Sequence, residues 1–406
     1  MSPSPTPRPV LRARPAARGS VGLLALLLCA CDVLGGGGPG RLTADGEAAG
    51  FRVATDGETA VIGVSDGAVA VYRRGPDGWT READLRPAIG SDGGGFGWSV
   101  AADGDVVVVG AFREGGDLES PLGAVYVFER RGGAWSQTAR LAPSDLPSPR
   151  VFGRAVAAGG GRVFVSSGRV QGSSEPDVVQ VFERAGEEWT LTRTILPPDP
   201  SHSLEFGGAV AVDGSRLVMG AMTGVGADAA AGVVYVYQLE GNTAAPVAVI
   251  AEPAGLGSGS RFGSSVAVDG DQIVVGAPAA VVNGARSVGA AFVFERASGG
   301  WALAGHLDNP EPTERDFFAE SVGVDGPLVV VGSESEDRGR GAVFTFERQA
   351  DTWSPTGPLV PEGLAPSSSF GSRLALSGGV LLIGAPYDGR GAGYVYRREG
   401  SAWASW

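Results

Sequence analysis

The sequence predicts an all-β protein, a seven-bladed β-propeller of four-stranded antiparallel blades. Three observations lead there. A block of about sixteen residues recurs seven times, each copy contains four strand-like runs, and no stretch beyond residue 40 has a helical hydrophobic period. At 406 residues and 43% hydrophobic, the chain can bury such a core, and its 67 Gly and 27 Pro supply turns.

The N-terminal segment reads as an address. Residues 1–30 hold Arg8, Arg12, Arg14 and Arg18 and no acid, and Val21 to Leu28 form the apolar run VGLLALLL. That run is far shorter than the roughly 20 residues a membrane span needs. A basic start followed by a short apolar core is the pattern of a secretory signal peptide. Leu28-Cys29-Ala30-Cys31 resembles the bacterial lipoprotein signal, with Cys29 where Ala or Ser is usual. The resemblance implies cleavage before Cys31, a lipid on Cys31, and export to the bacterial cell envelope, where the lipid holds the protein to a membrane. Residues 31–40 contain GGGGPG and read as a flexible tether. Those glycines formally satisfy G-x-G-x-x-G, but no strand precedes them and no helix follows, so they are not a dinucleotide loop. Only one Cys remains after cleavage, and no disulfide is expected.

Residues 41–406 carry the repeat. FGWSVAADGDVVVVGA from Phe96, FGGAVAVDGSRLVMGA from Phe206, FGSSVAVDGDQIVVGA from Phe262 and FGSRLALSGGVLLIGA from Phe370 are plainly one motif, with weaker copies from Phe152 and Phe318. A seventh copy starts at Ala49, and the seven anchors recur every 53 residues or so. Fourteen residues after each anchor stands Gly63, Gly110, Ser166, Gly220, Gly276, Gly332 or Gly384. A third-strand aromatic follows in every copy, and seven residues beyond it a Trp, except in the fourth copy, which has Ala244. In order, the four strands are the small SVA run, a Val/Ile/Leu run reached through an Asp-Gly or Gly-Gly hairpin turn, an alternating GAVYVFER run, and a strand opened by the Trp. Four-stranded units repeated seven times suit a propeller, in which each blade buries its faces against its neighbours. The fixed aromatics read as packing wedges between blades, and Trp98, which is off register, as rim packing. The last copy ends three residues after Trp403, so the segment around Arg41-Leu42 is expected to complete its fourth strand.

The pattern FG–SVA–DG–VVVGA–GAVYVF resembles the FG-GAP repeat of the integrin alpha-chain propeller and of bacterial secreted proteins built from such repeats. The resemblance covers about residues 49–406 and implies a propeller that binds other molecules, often proteins at a cell surface. Calcium-binding integrin repeats carry a D-x-D-x-D-G-x-x-D type loop. Here the loop is only ADGD, VDGS or VDGD. A hard cation needs six to eight oxygens, so Asp56, Asp103, Asp213, Asp269 and Asp325 read as turn formers and no metal or other cofactor is expected.

Composition narrows function further. The 32 basic residues are all Arg, which removes lysine-dependent phosphate, Schiff-base and Ser–Lys chemistry. Two His and two Cys argue against a zinc site, and a net charge of −13 argues against nucleic acid as a partner. His202 and His306 read as surface residues without a nucleophile nearby, so no enzyme activity is expected.

All length variation falls between the second and third strands, where the Gly-to-aromatic interval runs 9, 18, 16, 17, 18, 14 and 12 residues. These loops share a face with the blade-to-blade links, and loops on a rigid scaffold are where binding resides. The charged candidates are Arg113, Glu114, Asp117 and Glu119 in the second copy, and Glu334, Glu336, Asp337, Arg338 and Arg340 in the sixth. The leading expectation is a lipid-anchored envelope module that binds or adheres to a protein or ligand. The alternatives are a structural hub of an envelope assembly and, further off, a carbohydrate-active enzyme whose paired carboxylates meet at the channel mouth.

Overall fold

The structure, a computed structural model, describes residues 40–44, 51–64, 67–88, 94–115, 122–143, 150–170, 175–202, 205–221, 232–239 and 245–406. Seven sheets, each built of consecutive antiparallel strands, stand in chain order. Blade 2 is representative, with strands Phe96–Asp103, Val106–Ala111, Ala124–Arg131 and Ala134–Leu141. The inner strand of each blade touches that of the next, and Arg373–Ser377 of blade 7 touches Arg52–Thr55 of blade 1. The sheets therefore close into a ring, the seven-bladed propeller that the repeat predicts.

The core is distributed. Seven hydrophobic clusters lie one at each blade interface. The anchor aromatics head six of them: Phe96 meets Tyr126 edge-on at 5.5 Å and Phe128 at 6.1 Å, and Phe152, Phe262 and Phe318 repeat the contact with Phe182, Phe294 and Phe346. Such pairs add directional preference to burial.

Strict repeat positions have strict neighbours. A Cβ on Gly220 would lie 1.9 Å from the carbonyl oxygen of Gly263 in the next blade, and one on Gly332 would lie 2.0 Å from that of Gly371. No side chain fits there, which explains the glycine fourteen residues after the anchor. Three inner-strand serines bridge interfaces: Ser99 donates to the Gly153 carbonyl at 2.8 Å, Ser265 to Ala319 at 2.8 Å and Ser321 to Gly371 at 2.7 Å.

The Asp-Gly turns do more than turn. Asp56 does accept the amides of Glu58 and Thr59 within its own hairpin. Its second oxygen accepts the amide of Gly104 in blade 2 at 2.8 Å. Asp213, Asp269 and Asp325 likewise accept the amides of Gly270, Gly326 and Gly379, each in the following blade. On the same side of the ring, the FER ends of the third strands are linked by ion pairs. Glu129 meets Arg184, Glu295 meets Arg348 and Glu347 meets Arg398, always one blade to the next.

Blade 7 is completed by two segments far apart in the sequence. Ala402–Ser405 and Arg41–Leu42 both pair with its third strand, Ala392–Glu399. Tyr396 lies opposite Ser405 and Tyr394 opposite Arg41, with Val395 donating to the Gly40 carbonyl at 2.7 Å between them. In blade 2 the same positions pair Phe128 with Gln137 and Tyr126 with Arg140. The two segments thus form one composite fourth strand. Its chemistry also matches: Tyr126 donates to Glu114 at 2.6 Å while Arg140 donates to that carboxylate at 2.8 Å, and Tyr394 donates to Asp388 at 2.6 Å while Arg41 donates to it at 3.1 Å.

Candidate ligand site at the channel mouth

Inner strands of all seven blades line a central cavity of about 250 Å³, with Arg52, Ser99, Arg154, Gly208, Ser264, Glu320 and Arg373 among its walls. Above it opens a second cavity of about 300 Å³, which adds Phe51, Trp98, Glu205 and Arg261. A smaller recess of about 70 Å³ beside it adds Glu334 and Tyr387. Arg52 lines all three. This mouth lies at the start of the inner strands, on the face that carries the second-to-third-strand connections.

Most charges here are matched. Arg154 pairs with Glu205 at 2.7 Å, and Glu320 receives both Arg261 at 3.3 Å and Arg373 at 3.6 Å. Arg52 is different. Its guanidinium donates to its neighbour's carbonyl, Phe51 O, at 2.9 Å, and it meets no carboxylate among the described residues. It lies 4.9 Å from the Trp98 ring centroid and 5.5 Å from that of Phe51. Trp98 in turn packs between Phe51 at 6.0 Å and Phe112 at 4.5 Å, and the exposed Tyr387 meets Phe51 edge-on at 6.4 Å. Burial, and then the like charges of Arg373 and Arg154 opposed by Glu320, push Arg52 down to about 9. It therefore remains a cation at neutral pH, but an uncomfortable one. Burial, and then the Glu320 carboxylate, raise Glu334, with Arg373 and Arg261 pulling the other way.

Among the candidates read from the sequence, Glu334 borders this mouth. Arg113 stacks over Phe112 at 4.9 Å, one aromatic layer outside Trp98. Glu114 is buried in the Tyr126–Arg140 group. Glu336 accepts from Asn309 and Ser333 and holds its own loop. Asp337 and Arg340 form an exposed pair at 3.4 Å, and Arg338 adopts a left-handed backbone with φ of 62°. Asp117, Glu119, Cys31 and residues 1–39 lie outside the described residues. Of the histidines, His306 is exposed and stacks on Phe292, whereas His202 is half-buried and bonded to the Tyr235 hydroxyl at 2.6 Å, not a free surface residue. Among the described residues, no group of His, Cys, Asp and Glu side chains is placed to hold a metal ion, and no helix is long and apolar enough to cross a membrane. Arg52, Arg154, Arg261 and Arg373 escaped the sequence reading because none of their offsets from the anchor carries Arg in more than two copies, and ring closure alone brings them together.

Comparison with known proteins agrees with this architecture. The FG-GAP repeat family model matches residues 79–128, 189–237, 253–294 and 353–396. Three of these windows open on the fourth-strand Trp (Trp79, Trp189 and Trp353), and all four close on a third-strand aromatic (Phe128, Tyr237, Phe294 and Tyr396). A chain in a crystal structure of the mitotic checkpoint complex is similar in fold, with a TM-score of 0.56 at 13% identity over 96% of this chain and 99% of that one. No curated protein matches the sequence. The chain is thus a seven-bladed β-propeller that carries FG-GAP repeats.

Proposed function

We propose that this protein is a lipid-anchored module of a bacterial cell envelope that binds a protein or ligand through its propeller and catalyses no reaction. The observation that carries the binding role is the channel mouth, where Arg52 is walled by aromatic rings and forms no ion pair with a carboxylate among the described residues. A structural scaffold has no use for an unmatched, half-buried cation; a binding site does. The anchor rests on the basic start, the short apolar core and Leu28-Cys29-Ala30-Cys31. A hub role in an envelope assembly is the second reading, and the ring of blade-to-blade ion pairs favours it by making the scaffold rigid.

Two experiments test the proposal. Cys31→Ser is expected to leave the membrane fraction or to remain unprocessed; maturation and partitioning like the wild type would rule out the anchor. A photo-crosslinking residue placed at Tyr387, on the mouth, is expected to capture a ligand or partner in whole cells. Capture only from residues on the outer strands, such as Leu303, would favour the hub.

A further inference from the structure

We propose that the channel mouth is a site for a single carboxylate group, held by Arg52 and seated against the Trp98–Phe51 rings. The inference rests on the binding-module reading and names the chemistry of its ligand.

Charge counting sets the class. Four guanidiniums (Arg52, Arg154, Arg261 and Arg373) and three carboxyl groups (Glu205, Glu320 and Glu334) line the mouth. With all of them ionised, one positive charge is left over among the described residues, which one monoanion cancels. That excess sits inside a chain whose net charge is −13, so the mouth is a local attractor for anions on an otherwise repelling surface. Arg52 spends one donor on Phe51 O and keeps a planar fork of N–H groups, which matches a carboxylate in two parallel hydrogen bonds. Its two ring neighbours support the guanidinium and offer an apolar surface to whatever carries the carboxylate. At about 300 Å³ the upper cavity admits one side chain or a small acid, not a folded domain. Burial is the main cost borne by the Arg52 cation, with the like charges of Arg373 and Arg154 adding to it, and a carboxylate bonded to the guanidinium would offset both.

Such a carboxylate reaches the site either on a free small acid or on an acidic side chain of a partner. The test uses purified full-length chain, with calorimetry and tryptophan fluorescence as readouts. The probes are 3-phenylpropionate, a blocked tripeptide with one central Asp, its Asn counterpart, and inorganic phosphate. Saturable binding of 3-phenylpropionate or of the Asp peptide is expected, with none of the Asn peptide. Whichever of the two binds at least about tenfold tighter identifies the source. Arg52→Met is expected to weaken both by about tenfold or more without lowering Tm, and Arg52→Lys to fall between. The site is refuted by wild-type protein that binds neither carboxylate, by Arg52→Met that binds as the wild type does, or by phosphate that binds tighter than both. A chain that ignores the probes yet crosslinks a partner in cells sinks the carboxylate site and leaves the binding module standing.

Discussion

Gly220 shows how much a single position of this repeat is made to carry. Its Cα is approached so closely by the Gly263 carbonyl that a Cβ would sit 1.9 Å from the oxygen. The clash is with backbone of the neighbouring blade, so relief requires a shift of one blade against the next. Gly220→Ala is therefore expected to destabilise the ring by about 3 kcal/mol or more. Gly214 is the control: its φ of +55° disfavours a side chain, but a Cβ there meets nothing within 4 Å. Gly214→Ala is expected to lose only about 1 kcal/mol, the penalty of a left-handed alanine. Urea titration of the two variants checks the contrast; equal losses would mean that interface clearance is not what fixes the glycine. The same logic reads the one exception, Ser166, whose hydroxyl turns into its own blade to accept the Ala155 amide at 2.8 Å.

At the level of strands, the arginine–carboxylate–tyrosine groups of blades 2 and 7 give the protein an alkaline limit. Burial, and then donation to Glu114, push Tyr126 up to about 12, and burial with donation to Asp388 does the same for Tyr394. An unfolded tyrosine loses its proton near pH 10. Between about 10 and 12 the folded chain holds more protons than the unfolded one, so stability falls as pH rises through that window and is intact below it. Denaturant midpoints measured from pH 9 to 12 are expected to decline, and to decline less in the Tyr126→Phe, Tyr394→Phe double variant. The strands themselves were legible in the sequence because the ring imposes one register on every blade: anchor, glycine, aromatic and Trp each have a single structural job. The blade-to-blade reach of Asp56 or Asp269 was not, since a turn-forming aspartate and a bridging one occupy the same Asp-Gly dipeptide. Nor was the mouth, because its arginines come from blades 1, 3, 5 and 7 and none of their repeat positions carries Arg in more than two copies. The composite strand stood half-visible: Gly40-Arg41-Leu42 repeats the Ala139-Arg140-Leu141 that ends the outer strand of blade 2.

Taken whole, the ring places its chain break in the outermost strand of one blade and keeps it away from the channel. Segment Arg41–Leu42 belongs to blade 7 by pairing, and the chain runs on from it into blade 1, so it supplies the seventh blade-to-blade link. Leu42 is 8% exposed and joins the cluster between blades 7 and 1, while Arg41 neutralises a carboxylate whose side chain is 11% exposed. Replacing both, as Arg41→Ala with Leu42→Ala, is expected to remove about 3–5 kcal/mol, summing one buried leucine and one stranded carboxylate. Thermal unfolding of this variant is expected to begin at lower temperature and to broaden as blade 7 loosens ahead of the others. An unchanged midpoint would mean that the inner strands close the ring unaided.

That seam also orders events in time. Every other interface joins blades that are neighbours in the chain, and each can form as soon as its two blades exist. Arg41 and Asp388 are 347 positions apart, so their meeting closes the longest loop among the blade contacts and is expected to form late in folding. The reverse is expected as well: the few hydrogen bonds that hold Gly40 to Leu42 in place should be among the first to part. The Val395 amide is bonded across the seam to Gly40, and its exchange with solvent is expected to report how often the Gly40–Leu42 segment lets go of blade 7.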